Sequence, residues 1–142
     1  MKRIVTLMVL FITMSSSGQT NQELTAHYKK YYKQMQSQAD IQGVINALTH
    51  LNVLEPSQAR KDTLATLYMN EGRHVEALNT IGIEKNESDS DLAVQVKAFS
   101  LKAINDIDQA LIHYEELFKR KPNPFIAYEL SLIHISEPTR PC

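Results

Sequence analysis

The sequence predicts an all-α chain built of helix-turn-helix repeats, and three observations carry that expectation. Glycine and proline number only four and five in 142 residues, so little in the chain breaks a helix. Apolar residues recur at three- and four-residue spacing, as in Leu64, Leu67, Tyr68 and then Val75, Leu78, Ile81, the stripe of an amphipathic helix. The chain also resembles itself at a period of 33 residues.

The first element is a leader. Lys2 and Arg3 precede an apolar run, Ile4 to Ile12, and then the small residues of MSSSG. That order is the layout of a secretory signal peptide, and the run is too short to span a bilayer. Residues 1–18 are therefore expected to be removed by cleavage between Gly18 and Gln19, leaving an exported, periplasmic or secreted chain with no integral membrane segment. No cysteine follows the apolar run, which gives no support to a lipid anchor of the bacterial lipoprotein kind.

Helices are expected next at about 21–37, 40–53, 57–71, 74–84, 90–104, 107–121 and from 124 onward. The repeat sets their grouping. Ala65 aligns with Ala98, Tyr68 with Leu101, Gly72 with Asn105, Ala77 with Ala110, Leu78 with Leu111 and Ile81 with Tyr114. One unit earlier, Val44 falls under Ala77 and Leu48 under Ile81, while Pro56, Asp89 and Pro122 share one phase at the end of each unit. Gly72 and Asn105 sit between paired helices, where a residue tolerant of positive φ is needed. Ser57 and Asp91 are the expected N-caps.

At these residues the chain resembles the tetratricopeptide repeat family. The second unit carries the resemblance at Leu64, Ala65, Tyr68, Gly72, Ala77, Leu78 and Ile81, and the third at Ala98, Leu101, Ala110, Leu111, Tyr114 and Pro122. Tryptophan is absent throughout, the unit is one residue shorter than the family's usual length, and the first unit has Tyr32 and Val44 where small residues are expected. The resemblance implies three units at about 25–57, 58–90 and 91–123 within residues 19–123, and the start of a fourth at 124–129 with Ala127 and Leu130 pointing inward. It implies an α-solenoid in which Ala65, Tyr68, Gly72, Ala77, Ala98, Leu101, Ala110 and Tyr114 serve repeat packing. Its concave face, lined by the first helix of each unit, then receives a protein or peptide segment. The positions that fall on that face are Ala26, Lys29, Lys33 and Gln36; Ala59, Asp62, Thr66 and Met69; and Leu92, Gln95, Phe99 and Lys102. Lys29, Lys33 and Lys102 suit an acidic ligand, and Met69 and Phe99 are the expected anchors.

The tail departs from this pattern. Pro138 and Pro141 rule out a regular helix where the fourth unit needs its turn and second helix. Residues 130–142, LSLIHISEPTRPC, resemble the in-frame translation of a transposon-end sequencing adapter, so they are expected to be an artefact on a fragment of a longer repeat protein.

No enzyme motif accompanies the repeats: there is no Gly-rich phosphate loop, HExxH, CxxC or GxSxG. His27, His50, His74 and His113 form no i, i+4 ligand pair, and Glu87, Asp89 and Asp91 lack the glycine and closing glutamate of a calcium loop. Asn86-Glu87-Ser88 has the form of a glycosylation acceptor, and Lys119 to Lys121 lie at a helix C-terminus, where positive charge is favoured. Without residues 1–18 and 130–142 the chain has 12 basic and 15 acidic side chains, which gives no footprint for nucleic acid. With no cysteine before Cys142, no disulfide framework holds it. The expectation is a non-enzymatic, cofactor-free interaction scaffold. The alternative is the N-terminal repeat region of a larger envelope protein whose further part carries an enzymatic or membrane-associated domain.

Overall fold

The computed structural model describes the backbone of residues 2–136 and the side chains of residues 20–135. The side chains of the expected leader, 1–18, and the segment 137–142 with both of its prolines lie outside the described residues. Every regular element described is an α-helix, so the chain is all-α. Two units are described separately, Met1–Ser57 and Gln58–Cys142.

The first unit is a helical hairpin of α1 (Lys2–Ser37) and α2 (Ile41–Leu54). The pattern places the start of α1 near residue 21, whereas the helix runs back to Lys2. No proline interrupts the sequence in between. Asp40 caps α2 by accepting from the Gly43 N–H at 3.0 Å. Val44, Ile45, Ala47, Leu48 and Leu51 of α2 and Met35 of α1 are buried. Gly43 lies so close to Met35 that a Cβ there would overlap its thioether.

The second unit holds α3 (Gln58–Asn70), α4 (His74–Ile81), α5 (Asp91–Ala103), α6 (Ile107–Arg120) and α7 (Pro124–Ser136). α3 packs on α4 and α5, α4 on α5, α5 on α6, and α6 on α7. Ala65 and Ala77 are fully buried with Val96, and Tyr68, Met69 and Ile81 close over them. Leu78, Val94, Ala98, Leu101, Ala110, Leu111, Tyr114, Leu117, Ile126 and Ile133 form the larger core. Ala65, Ala77, Ala98 and Ala110 are each 0% exposed, so the backbones they sit on approach within a methyl group's reach of their neighbours.

Three helices end alike. Ala39, Gly72 and Asn105 have φ of 55°, 75° and 67°. Just after each, an amide bonds back across the last turn: Asp40 to the Met35 carbonyl at 3.0 Å, Arg73 to Tyr68 at 2.8 Å, and Asp106 to Leu101 at 2.9 Å. This is the Schellman closure, in which the left-handed residue lets the chain reverse while terminal carbonyls stay bonded.

Three local expectations are corrected. α4 stops at Ile81, three residues early, because Gly82 adopts φ +82° and leads the chain out of the helix. α5 is capped by Ser90, which accepts from the Ala93 N–H at 3.0 Å, while Asp91 is the first helical residue and faces Arg120 and Lys121. In α7, Ala127 is exposed, and Ile126, Glu129 and Ile133 are buried with Leu130 packed beside them. The reason is that α5 lies between α4 and α6, while no described helix covers the matching flank of α7. α7 also continues through Leu130 to Ser136, since nothing before Pro138 breaks it.

Candidate binding surface

On α3, Asp62 is 4% exposed. Its carboxylate accepts from Gln58 Nε2 at 2.9 Å and from Ser90 Oγ at 2.6 Å, and its carbonyl accepts from Thr66 Oγ1 at 2.8 Å. Asp62 therefore supports the residue that caps α5. Met69 is half-buried against Ala65, Ala77 and Val96, and Ala59 is exposed.

On α5, Leu92 is exposed and Gln95 half-buried. Phe99 is half-buried, its ring 5.6 Å from that of Tyr114 in the core and 6.1 Å, edge to face, from that of Phe125 on α7. Such aromatic pairs contribute roughly 0.5–1.5 kcal/mol beyond their buried area. Phe125 is 53% exposed and Tyr128 59%, so an aromatic row runs from the core at Tyr114 through Phe99 to solvent on α7. Lys102 is half-buried and paired with Glu129. The Tyr114 hydroxyl, buried and near the Glu129 carboxylate, has its pKa pushed well up.

The remaining expected residues belong to the first unit. Lys29 pairs with Glu55 at 3.0 Å, both about half exposed. Gln36 Nε2 donates to the Tyr32 hydroxyl at 2.7 Å, and Lys33 and Ala26 are exposed. Of the three lysines suited to an acidic ligand, two thus already face a carboxylate. The Lys29–Glu55 pair is exposed and weak, so a ligand carboxylate competes for it at little cost, whereas the Glu129 partner of Lys102 is buried. Also in this unit, Tyr28 stacks on His50 at 4.4 Å, a contact with no signal in the repeat pattern.

A second polar centre lies where α4 passes into α5. Lys97, 1% exposed, donates to Asp89 Oδ2 at 2.6 Å and to the Glu84 carbonyl at 2.9 Å. His113, 0% exposed on α6, bonds the Ile83 carbonyl through Nε2 at 2.7 Å. Lys85 pairs with Glu116 at 2.8 Å, and Arg120 holds Glu116 at 2.8 Å and the Asp89 carbonyl at 2.7 Å. With two cations against it, Glu116 has a pKa held down at about 2. Asp91 lies below its ordinary value, chiefly through its bond to Lys121. The residues 82–90 are thus strapped to α5 and α6, and most of them, Gly82 to Asn86 with Ser88 and Asp89, line a cleft of about 530 Å³ together with Gln58, Ile81 and Lys97. Sequence reasoning missed this centre, since a lysine and a histidine within helices read as surface residues.

Asn86 and Ser88 lie exposed on the strap, with Asn86 Oδ1 accepting from both the amide and the hydroxyl of Ser88, at 3.0 and 2.9 Å. Asp89 and Asp91 are taken up by Lys97, Arg120 and Lys121. Among the described residues no three His, Cys, Asp or Glu side chains are grouped to hold a metal. No helix among them is long and apolar enough to cross a membrane. No family model and no curated protein matches the chain.

Proposed function

We propose that the chain is an exported, non-enzymatic, tetratricopeptide-like α-solenoid that binds a protein or peptide partner along the first helices of its repeats. The repeat is supported by the register of the helices. α2, α4 and α6 open at Ile41, His74 and Ile107, and α3, α5 and α7 at Gln58, Asp91 and Pro124, each 33 residues after the last. The left-handed residues Ala39, Gly72 and Asn105 keep the same interval.

The binding role rests on the aromatic row. Phe99, Phe125 and Tyr128 stand on first helices of their pairs, and the latter two are more than half exposed. Aromatic side chains in that state have little conformational entropy to lose and much apolar area to bury against a partner. The test is selection of extended peptides from a display library against the full chain, followed by binding of the selected peptides to two variants. Phe125→Ala is expected to lose at least about tenfold in affinity, a loss of about 1.4 kcal/mol. Val75→Ala, at an exposed position on the second helix α4, is expected to change nothing. Equal binding to both variants refutes binding along the first helices.

A second reading makes the chain the N-terminal repeat region of a larger envelope protein. It is favoured by the likeness of residues 130–140 to the in-frame translation of adapter sequence. The helical form of 130–136 describes how those residues pack, not where they came from. A long read of the source locus across codon 129 decides it. A frame running on into further repeat units supports the reading, and a locus encoding LSLIHISEPTRPC followed by a stop refutes it.

A further inference from the structure

The strap 82–90 has little apolar anchorage: Ile83 is 45% exposed, and polar bonds do the holding. Its donors are Lys97, Arg120 and His113, and of these only histidine has an ordinary pKa that puts its charge change between about pH 5 and 8. His113 is committed to one tautomer. Because the acceptor at Nε2 is a carbonyl, Nε2 must carry the proton, which leaves Nδ1 bare. Nδ1 is fully buried and has no partner.

A second proton on that ring therefore meets no acceptor. Three charged groups bear on it, two opposing the proton and one favouring it, and the Ile83 bond itself favours the charged ring. Lys97 on α5 and Lys85 on the strap oppose it, and Asp89 on the strap favours it but already faces Lys97 at 2.6 Å. On α6 itself, Glu116 and Arg120 pair with each other, with Lys85 and with Asp91. On α7, Glu129 pairs with Lys102 and acts on Tyr114.

We propose that His113 is an acid-released latch. The neutral ring holds the Ile83 carbonyl and keeps the strap closed, and protonation expels the ring from its site, frees residues 82–90 and opens the cleft they line. Burial, the largest influence, pushes the His113 pKa below its ordinary value, in keeping with this geometry. The sign follows from linkage. The closed state binds the proton less well than the open state, so closure is at full strength above about pH 6.5 and weakens as pH falls from there toward the closed-state pKa. Within that window the opening equilibrium rises by up to about tenfold per pH unit.

The experiment is amide hydrogen exchange on the full chain between about pH 8 and pH 5, corrected for the intrinsic pH dependence of exchange. Amides of residues 83–90 are expected to lose protection by up to about tenfold between about pH 6.5 and 5.5, while the buried turns of α5 hold theirs. His113→Gln places an amide N–H near the position of Nε2 and cannot titrate, so its strap protection is expected to be flat with pH. Strap protection independent of pH in the wild type overturns the latch, and so does the same pH response in His113→Gln. Should that variant fold poorly, the wild-type ring is followed by NMR. Titration of His113 below its ordinary value together with the strap amides supports the latch. Titration at or above that value without movement of the strap overturns it.

Discussion

Replacing Lys97 by methionine keeps the length and apolar stem of the side chain and removes only the ammonium. That ammonium lies 2.6 Å from Asp89 Oδ2 and 2.9 Å from the Glu84 carbonyl, on a residue 1% exposed. Removing one partner of a buried ion pair typically costs about 3–5 kcal/mol, because the other charge is left without compensation. Asp89 keeps 12% side-chain exposure and a 3.3 Å bond from the Asn86 amide, so water recovers part of the loss. The expected cost is therefore near the lower end, about 3 kcal/mol. The chain has no tryptophan, so urea unfolding is best followed by far-ultraviolet circular dichroism. Lys97→Met combined with Asp89→Asn leaves no orphan charge and is expected to be more stable than the sum of the single losses predicts. A Lys97→Met variant within about 0.5 kcal/mol of wild type refutes the claim that this ammonium holds the strap.

Ala110 is 0% exposed in the larger core, so Ala110→Leu is expected to overpack it and cost about 1–3 kcal/mol, as is Ala77→Leu; unchanged thermal melts would contradict the packing. Gly72 has φ +75°, so Gly72→Ala is expected to cost about 1–2 kcal/mol by urea unfolding, while Asn105→Gly leaves stability nearly unchanged. Glu116, held at about 2 by Lys85 and Arg120, stabilises the fold above the ordinary carboxylate range, and that contribution is lost as pH falls through the folded value. Glu116→Gln is therefore expected to lower stability at neutral pH and flatten its decline between about pH 5 and 2, read from melts across that range.

The helical frame was legible because it depends on features with few alternatives. Three- and four-residue apolar spacing leaves one face to bury, and Gly72 and Asn105 are the residue types that adopt positive φ most readily. Ala39 takes the same conformation without being such a residue, and no local signal marked it. Lys97 sits in the segment VQVKAFS, where helical phase alone allows a solvated amine. Its burial depends on where residues 82–90 fold back, which is a property of three elements together. The same holds for His113, whose partner is a carbonyl 30 residues away. Asp62 illustrates the reverse case: the repeat phase put it on the open face, but Ser90 and Gln58 reach it first. Phe125 and Tyr128 carry no mark in the sequence, because the repeat phase on α7 singles out Ala127 and Leu130, while their exposure depends on how α7 packs on α6.

The short bond between Ser90 and Asp62 has a mechanical consequence. Ser90 fixes the first turn of α5 by accepting from Ala93, and its own hydroxyl is anchored on α3. Where helix pairs contact only their neighbours, stability is roughly a sum of separate pair and interface contributions, each of which can be lost on its own. Here the start of α5 is tied to α3, so pulling α3 away also loads the residue that caps α5. Force applied to the chain ends would meet a single larger rupture across α3 to α5 instead of two smaller ones.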